Sequence, residues 1–198
     1  FTINVEDYFG VNGTIFLANP NAPTGLFLEI SEIEKILKAN PDNIVVVDEA
    51  YVDFGAKSCV SIVNKYDNLL VTQTFSKSRS MAGARLGFGV ANNELIRDLN
   101  TIKYSTNPYN INRVTMAEGI GTLCDEDYTR KNCKTIIENR EYVQEELLKL
   151  GFEFSPSFTN FVFVKHPEMS GEELLKEYNA QDKDNGYNMG YSVYAQTH

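Results

Sequence analysis

"TQTFSKSRSMAGARLG", residues 72–87, sets a lysine among hydroxyls, small residues and two arginines. The apolar run "NLLV" (68–71) leads into it and "FGV" (88–90) leads out. Short β-branched and aromatic runs bounded by turn residues read as strands. The stretch is therefore a polar loop that closes one strand and opens another. Toward the amino terminus, "NIVVVDEA" (43–50) is a continuous Val/Ile run ending in acid, the pattern of a parallel strand covered on both faces. "TIFLA" (14–18) is a further short strand, and it stops at the turn-rich "NPNAPTG" (19–25).

Helices fill the intervals. Ser31 with Glu34 has capping-box spacing, followed by Ile33, Ile36 and Leu37 at helical period. Asn92 or Asn93 caps a helix carrying Leu95, Ile96, Leu99 and Ile102. A longer amphipathic helix is expected over about 125–150. Ile136, Val143, Leu147 and Leu150 form its stripe, and Gly151 is placed to end it. "NFVFVK" (160–165) reads as a late strand, and Ser170 with Glu173 as a second capping box. This order predicts an α/β fold with a mostly parallel (mixed) sheet flanked by helices.

Bulk properties exclude several classes of function. A net charge of −9 argues against a nucleic-acid or anionic-membrane surface, since either needs a basic patch. Cys59, Cys124 and Cys133 are odd in number and form no C-x-x-C pair, so reduced, core-packed thiols in a cytoplasmic protein are expected. With His166 and His198 the only histidines, no metal site is expected. No apolar run reaches the length of a membrane span. The chain starts at Phe1, which predicts a piece of a longer protein. Residues 179–198 carry no helical or strand period, and an irregular tail is expected there.

Three polar loops each follow an apolar strand: "NPNAPTG", "DEAYVDF" (48–54) and "TFSKSRSMAGAR" (74–85). Open α/β sheets bind ligands beyond the carboxyl ends of their strands. A phosphate there wants hydroxyls and a bidentate arginine, which Thr74, Ser76 and Arg85 supply. An aldehyde wants a lysine amine for a Schiff base, which Lys77 supplies. A basic ring nitrogen that must stay protonated wants a buried carboxylate, and Asp48 ends the dry Val run. A ligand with all three groups is pyridoxal 5'-phosphate. Each residue also has an ordinary reading: Lys77 a solvated charge, Asp48 a turn cap, Tyr51 core, Ser76 an N-cap and Arg85 a rim charge. Ser78 and Arg79 read as structural or solvent-facing.

The ordered set "ANPNAPTG", "VVVDEAYVDF" and "TFSKSRSMAGARLGFG", with the looser "NPYNINR" and "TNFVFVK", resembles the fold-type I PLP-dependent aminotransferases, most closely the histidinol-phosphate aminotransferases. The resemblance spans about residues 1–178. It implies that Lys77 holds the cofactor, Asp48 pairs with the pyridine nitrogen and Tyr51 reaches the ring hydroxyl. It implies a phosphate seat of Thr74, Ser76 and Arg85, a homodimer, and amino transfer from histidinol phosphate to 2-oxoglutarate in histidine biosynthesis. On this basis residues 1–124 form part of the cofactor-binding large domain, and 125–178 a linking helix with part of a small α+β domain.

The sequence departs from the pattern in places. The family has asparagine before "PTG", whereas this chain has Ala22; Asn21 either substitutes for it or only shapes the turn. Family members are about twice as long, and no residue here stands as the arginine for a substrate carboxylate. Two other readings stay open: a catalytically incomplete piece of such an enzyme, or a related PLP enzyme such as a phosphothreonine decarboxylase or another class I/II aminotransferase. A Rossmann nucleotide domain is disfavoured, because no G-x-G-x-x-G follows the first strand. Tyr104, Asn107, Tyr109 and Arg113 read as interface or pocket lining, with packing as the default.

Overall fold

The computed structural model describes residues 2–177; the tail expected over 179–198 lies outside them. Four strands form one sheet in the order β1 (Ile15–Ala18), β2 (Val45–Asp48), β3 (Leu69–Thr74), β4 (Gly87–Val90). The first three are mutually parallel and β4 runs antiparallel to β3, so the sheet is mixed. The two parallel steps need crossovers, and α1 (Ile30–Ala39) and the 3₁₀ segment Cys59–Lys65 provide them.

One face of the sheet carries the core. Ile15, Leu17, Val45, Val47, Leu69 and Val71 pack there against Ile33, Ile36 and Leu37 of α1 and against Cys59, Ile62 and Val63. Burying each such aliphatic side chain stabilises the fold by about 1.5–3 kcal/mol. The other face is more open. It buries Val46 and Leu70, but Phe16 is 74% exposed.

Helix α1 starts one residue before the expected box. Glu29 is its N-cap, without a side-chain bond, and Ser31 lies inside the helix. Ile30 packs against the core, which draws it into the first turn. Glu34, freed from capping, accepts from the Tyr66 hydroxyl at 3.0 Å. The second box does form: Ser170 N donates to Glu173 at 2.8 Å and Glu173 N to Ser170 Oγ at 3.3 Å.

In α2 (Asn93–Thr106), Asn92 caps as expected, accepting from Leu95 N at 2.8 Å. Its apolar residues do not form a buried stripe, and Ile102 is 61% exposed. Helix α3 (Arg113–Cys124) has no amphipathic signature. Its packing face is made of small residues: Thr115 and Gly119 are buried, while Val114, Met116, Ile120 and Leu123 are exposed. A Cβ on Gly119 would come within 2.6 Å of the end of the Leu86 side chain, which would have to shift to admit it. Tyr104 and Tyr109 are exposed rather than packed.

Helix α4 (Glu126–Lys149) is capped by Asp125 and followed by Gly151 at φ +83. It buries Thr129 and Cys133, one turn apart, and leaves Val143 and Leu150 of the expected stripe exposed. Cys124 is likewise exposed, not core; no cysteine is paired. The late strand shrinks to β6 (Val164–Lys165), antiparallel to β5 (Glu153–Phe154). Residues 157–161 cannot extend it because they bond among themselves: Ser157 Oγ donates to Phe161 O at 2.6 Å and Phe161 N to Thr159 Oγ1 at 3.3 Å. Among the described residues no helix is long and apolar enough to cross a membrane.

Candidate active site

Strand register brings the three polar loops to one edge. Ala18 pairs with Asp48 and Asp48 with Thr72, so β1, β2 and β3 end side by side. Asn19 N donates to Asp48 O and Glu49 N to Thr72 O, both at 2.8 Å, which carries the ladder into the loops. With a side-chain period of two, Asp48, Thr72 and Thr74 share the open face with Val46 and Leu70. Glu49 and Gln73 fall on the core side.

The first loop is closed by the buried Asn19, whose side chain accepts from Leu28 N (2.7 Å) and donates to Leu28 O (2.9 Å). Asn21 shapes the turn inside it. Its Oδ1 accepts from Thr24 Oγ1 at 2.8 Å and its carbonyl from Gly25 N at 2.8 Å.

The second loop departs from expectation at its acid. Asp48 is exposed, with Oδ1 accepting from Ala50 N at 3.1 Å. The enclosed carboxylate is that of Glu49, only 2% exposed. Strand alternation is the reason: consecutive residues face opposite sides, and the core lies on Glu49's side. Tyr51 stands half-buried beyond Asp48, with Phe161 edge-on at 5.3 Å between ring centres. The Lys77 amine lies 5.4 Å from the centre of the Tyr51 ring, so these two predicted residues converge.

In the third loop Thr74 Oγ1 lies 3.0 Å from Ser76 Oγ, and Ser76 N donates to Thr74 Oγ1 at 3.1 Å. This tight turn presents two hydroxyls together. Arg85 sits in the left-handed region at φ +56, and its guanidinium donates to Ala82 O at 2.9 Å. Its backbone neighbour Leu86 accepts from Phe75 N at 3.0 Å. The main chain of Arg85 is thus anchored beside the Thr74 turn, while its charged end folds back on its own loop.

Several supporting residues carried no sequence signal of their own. The Ser78 hydroxyl, buried as a structural reading expects, donates to Asp53 and ties the lysine loop to the tyrosine loop. Arg79 donates to Thr122 O at 3.1 Å and lies 5.5 Å from the Phe75 ring centre. Arg140 donates to Phe54 O (2.9 Å) and Thr159 O (2.7 Å), and burial holds its guanidinium below the usual arginine range. A cleft of about 770 Å³ lies between residues 78–84 and helices α3 and α4, lined by Arg79, Asn112, Glu118 and Tyr128 among others. None of the seven predicted site residues lines it. The predicted residues lie instead in the loops that leave the carboxyl ends of β1, β2 and β3, where Thr74 meets Ser76 and Lys77 nears Tyr51.

The donor set suits one kind of ligand. An amine near a phenol ring, an accessible carboxylate and paired hydroxyls, with Arg85 further along the same loop, match an aldehyde, a basic ring nitrogen and a phosphate monoester.

A family model described as "Aminotransferase class I and II" matches residues 6–185. The histidinol-phosphate aminotransferase of Acinetobacter baylyi is 50% identical over 176 residues, which are 89% of this chain and 49% of that protein. The chain spans about half the length of the curated relatives it matches. The crystal structure of histidinol-phosphate aminotransferase from Sinorhizobium meliloti in complex with pyridoxal-5'-phosphate is similar with a TM-score of 0.75 at 25% identity, covering 87% of this chain and 47% of that one. The L-threonine-O-3-phosphate decarboxylase from Porphyromonas gingivalis gives a TM-score of 0.71 at 26% identity, over 84% of this chain and 53% of that one.

Proposed function

The chain belongs to the aminotransferase class I and II family, and from that premise we propose that it carries the cofactor-binding centre of a histidinol-phosphate:2-oxoglutarate aminotransferase using pyridoxal 5'-phosphate. The observation that carries the proposal is the approach of the Lys77 amine to Tyr51, 5.4 Å from its ring centre, at the strand edge that also presents Asp48, Thr74 and Ser76. When bound, the cofactor supplies an aldehyde for amine exchange and a protonated ring that withdraws electrons from the substrate carbon.

The chain's own residues have separable tasks. Lys77 anchors the cofactor and, once its amine is free, takes and returns the substrate proton. Asp48 accepts a hydrogen bond from the ring nitrogen and keeps it protonated. Its place on the open face suits this task, because a carboxylate turned into the core is closed to a ligand. Tyr51 serves the ring hydroxyl, and the side-chain amide nitrogen of Asn21, the end not engaged by Thr24, is its second partner. Thr74 and Ser76 orient the phosphate and Arg85 balances its charge. Residues 1–124 form the cofactor-binding portion, and 125–178 the linking helix with part of a small domain. The working protein is a cytoplasmic homodimer. Decarboxylation of a phosphothreonine-like substrate is the second reading, favoured by the Porphyromonas gingivalis likeness. The 50% identity to a histidinol-phosphate aminotransferase ranks it second.

The test is borohydride fixation of pyridoxal 5'-phosphate followed by peptide mass analysis, alongside amino transfer from histidinol phosphate. A fixed adduct on Lys77 that is lost in Lys77→Ala is expected. Lys77→Arg is expected to fail equally, since a guanidinium stays protonated and cannot attack an aldehyde. Cofactor fixed on another lysine would overturn the assignment. Fixation without turnover would identify an incomplete catalytic piece.

A further inference from the structure

We propose that Glu49 is a positioning residue of the candidate active site: its buried carboxylate braces the ends of β2 and β3 and thereby sets the separation between Asp48 and Thr74. The inference rests on the cofactor reading above.

Both oxygens of Glu49 are engaged. Oε1 accepts from Cys59 N at 2.6 Å; Oε2 accepts from Ser58 Oγ at 2.6 Å and Gln73 Nε2 at 2.8 Å. All three partners are donors and no ion pair reaches the group among the described residues, so this is an acceptor-only carboxylate held by aimed neutral donors. Its main chain joins the same junction. Glu49 N donates to Thr72 O at 2.8 Å, and Glu49 O accepts from Val52 N at 3.2 Å at the start of the turn carrying Tyr51. The Cys59 thiol beside it is pushed up to about 12, first by burial and then by the Glu49 charge. Cys59 therefore adds no second anion to the cluster.

The geometry connects the brace to the site. Asp48 and Glu49 are consecutive, as are Gln73 and Thr74, and each pair straddles the sheet. The Glu49–Gln73 bond ties the two strand ends together behind the sheet, while Asp48 and Thr74 present their groups in front. A shift of one brace partner is transmitted to its neighbour through a single peptide unit. Stability alone gives little reason for a carboxylate here, since a well-packed apolar pair serves a core at least as well. Directional hydrogen bonds fix the relative position of two strands more tightly than apolar packing does.

The experiment compares the protein with Glu49→Gln and with the exchanged pair Glu49→Gln/Gln73→Glu. It measures pyridoxal 5'-phosphate affinity, the absorbance of the bound cofactor, its fixation on Lys77, and thermal unfolding. Glu49→Gln places an amide donor among three donors, so cofactor affinity is expected to fall about tenfold or more and the absorbance band to move. The exchange restores a carboxylate–amide pair and is expected to recover both. A folded Glu49→Gln protein with affinity within about twofold of the parent, or an exchanged pair with no recovery, overturns the brace. If Glu49→Gln does not fold, Gln73→Leu, which leaves Glu49 two donors, carries the test: weaker binding supports the brace and unchanged affinity overturns it. A parent protein that fixes no cofactor on Lys77 would overturn the cofactor reading and the brace with it, whereas fixation in the parent with unaffected variants overturns the brace alone.

Discussion

Arg85 holds a left-handed backbone at φ +56, a conformation that costs a residue with a Cβ about 1–2 kcal/mol. This makes alanine a poor probe of its charge, because Arg85→Ala removes the guanidinium but keeps the strain. Arg85→Gly removes the charge and relieves the backbone. If the guanidinium balances the cofactor phosphate, Arg85→Gly is expected to weaken pyridoxal 5'-phosphate by roughly tenfold to a hundredfold, the worth of one charged hydrogen bond, and to leave unphosphorylated pyridoxal nearly unaffected. Absorbance titration with both ligands measures the difference. Equal losses would place Arg85 away from the phosphate. To reach that phosphate the side chain must exchange its bond to Ala82 O for the ligand.

The turn of residues 19–25 shows how one element is held by another remote from it in sequence. Gly25 O accepts from Phe158 N at 2.9 Å, Ser155 Oγ donates to Thr24 O at 3.0 Å, and Phe27 meets Phe158 at 5.4 Å between ring centres. Gly25 adopts φ +75, and a Cβ there would lie 2.8 Å from Ser157 Oγ and 3.1 Å from Ser157 Cα. Gly25→Ala therefore meets both a conformational penalty and a backbone contact, and an unfolding free energy lower by at least about 1–2 kcal/mol is expected in urea titrations. A neutral substitution would show that the 155–158 segment yields. At the helix ends, Ser170 hydrogen bonds hold the Glu173 carboxyl below its ordinary range. A lowered carboxylate contributes stability above its unfolded value that is lost as pH falls through its folded one. The helical turn 171–177 is therefore expected to fray on acidification below the usual carboxylate range, read as loss of hydrogen-exchange protection at the Ser170 amide.

For the molecule as a whole, Cys59 links core burial to alkaline stability. Its thiol rises from its ordinary 9.0 to about 12, chiefly by desolvation. The folded state therefore keeps a proton that the unfolded chain releases, and the contribution is full below pH 9 and lost as pH climbs toward 12. The slope is about 1.4 kcal/mol per pH unit in that window. Cys59→Ala is expected to flatten this part of the stability curve relative to the parent, and identical slopes would rule the link out. The surface has its own consequence. Phe16, Val114, Ile120 and Leu123 are each more than half exposed, and burial of such side chains is what drives association between chains. Sedimentation at micromolar concentration is expected to show species heavier than one chain, whereas a stable soluble monomer would contradict the proposed homodimer.

What the sequence determined by itself is local in origin. Continuous apolar runs, residues 44–47 and 69–71, mark β2 and β3 because a strand covered on both faces needs apolar residues at every position, and the polar loops after them stand out by contrast. Asn92 and the Ser170–Glu173 box were legible as caps because their bonds close within three residues. Lys77 was named from loop chemistry and Tyr51 from the family resemblance, and the fold sets the amine 5.4 Å from the Tyr51 ring centre. The tertiary structure alone decided matters that depend on distant partners. It chose the buried side of α3, where Gly119 admits Leu86 and small residues do the packing. It overrode the Ser31 cap because Ile30 reaches the core, and it ended the late strand where Ser157 and Thr159 capture the Phe161 backbone. It also turned Glu49 inward and Asp48 outward. Two adjacent acids are chemically alike in sequence, and only the location of the core, built by α1 and residues 59–63, tells which of them a ligand can reach.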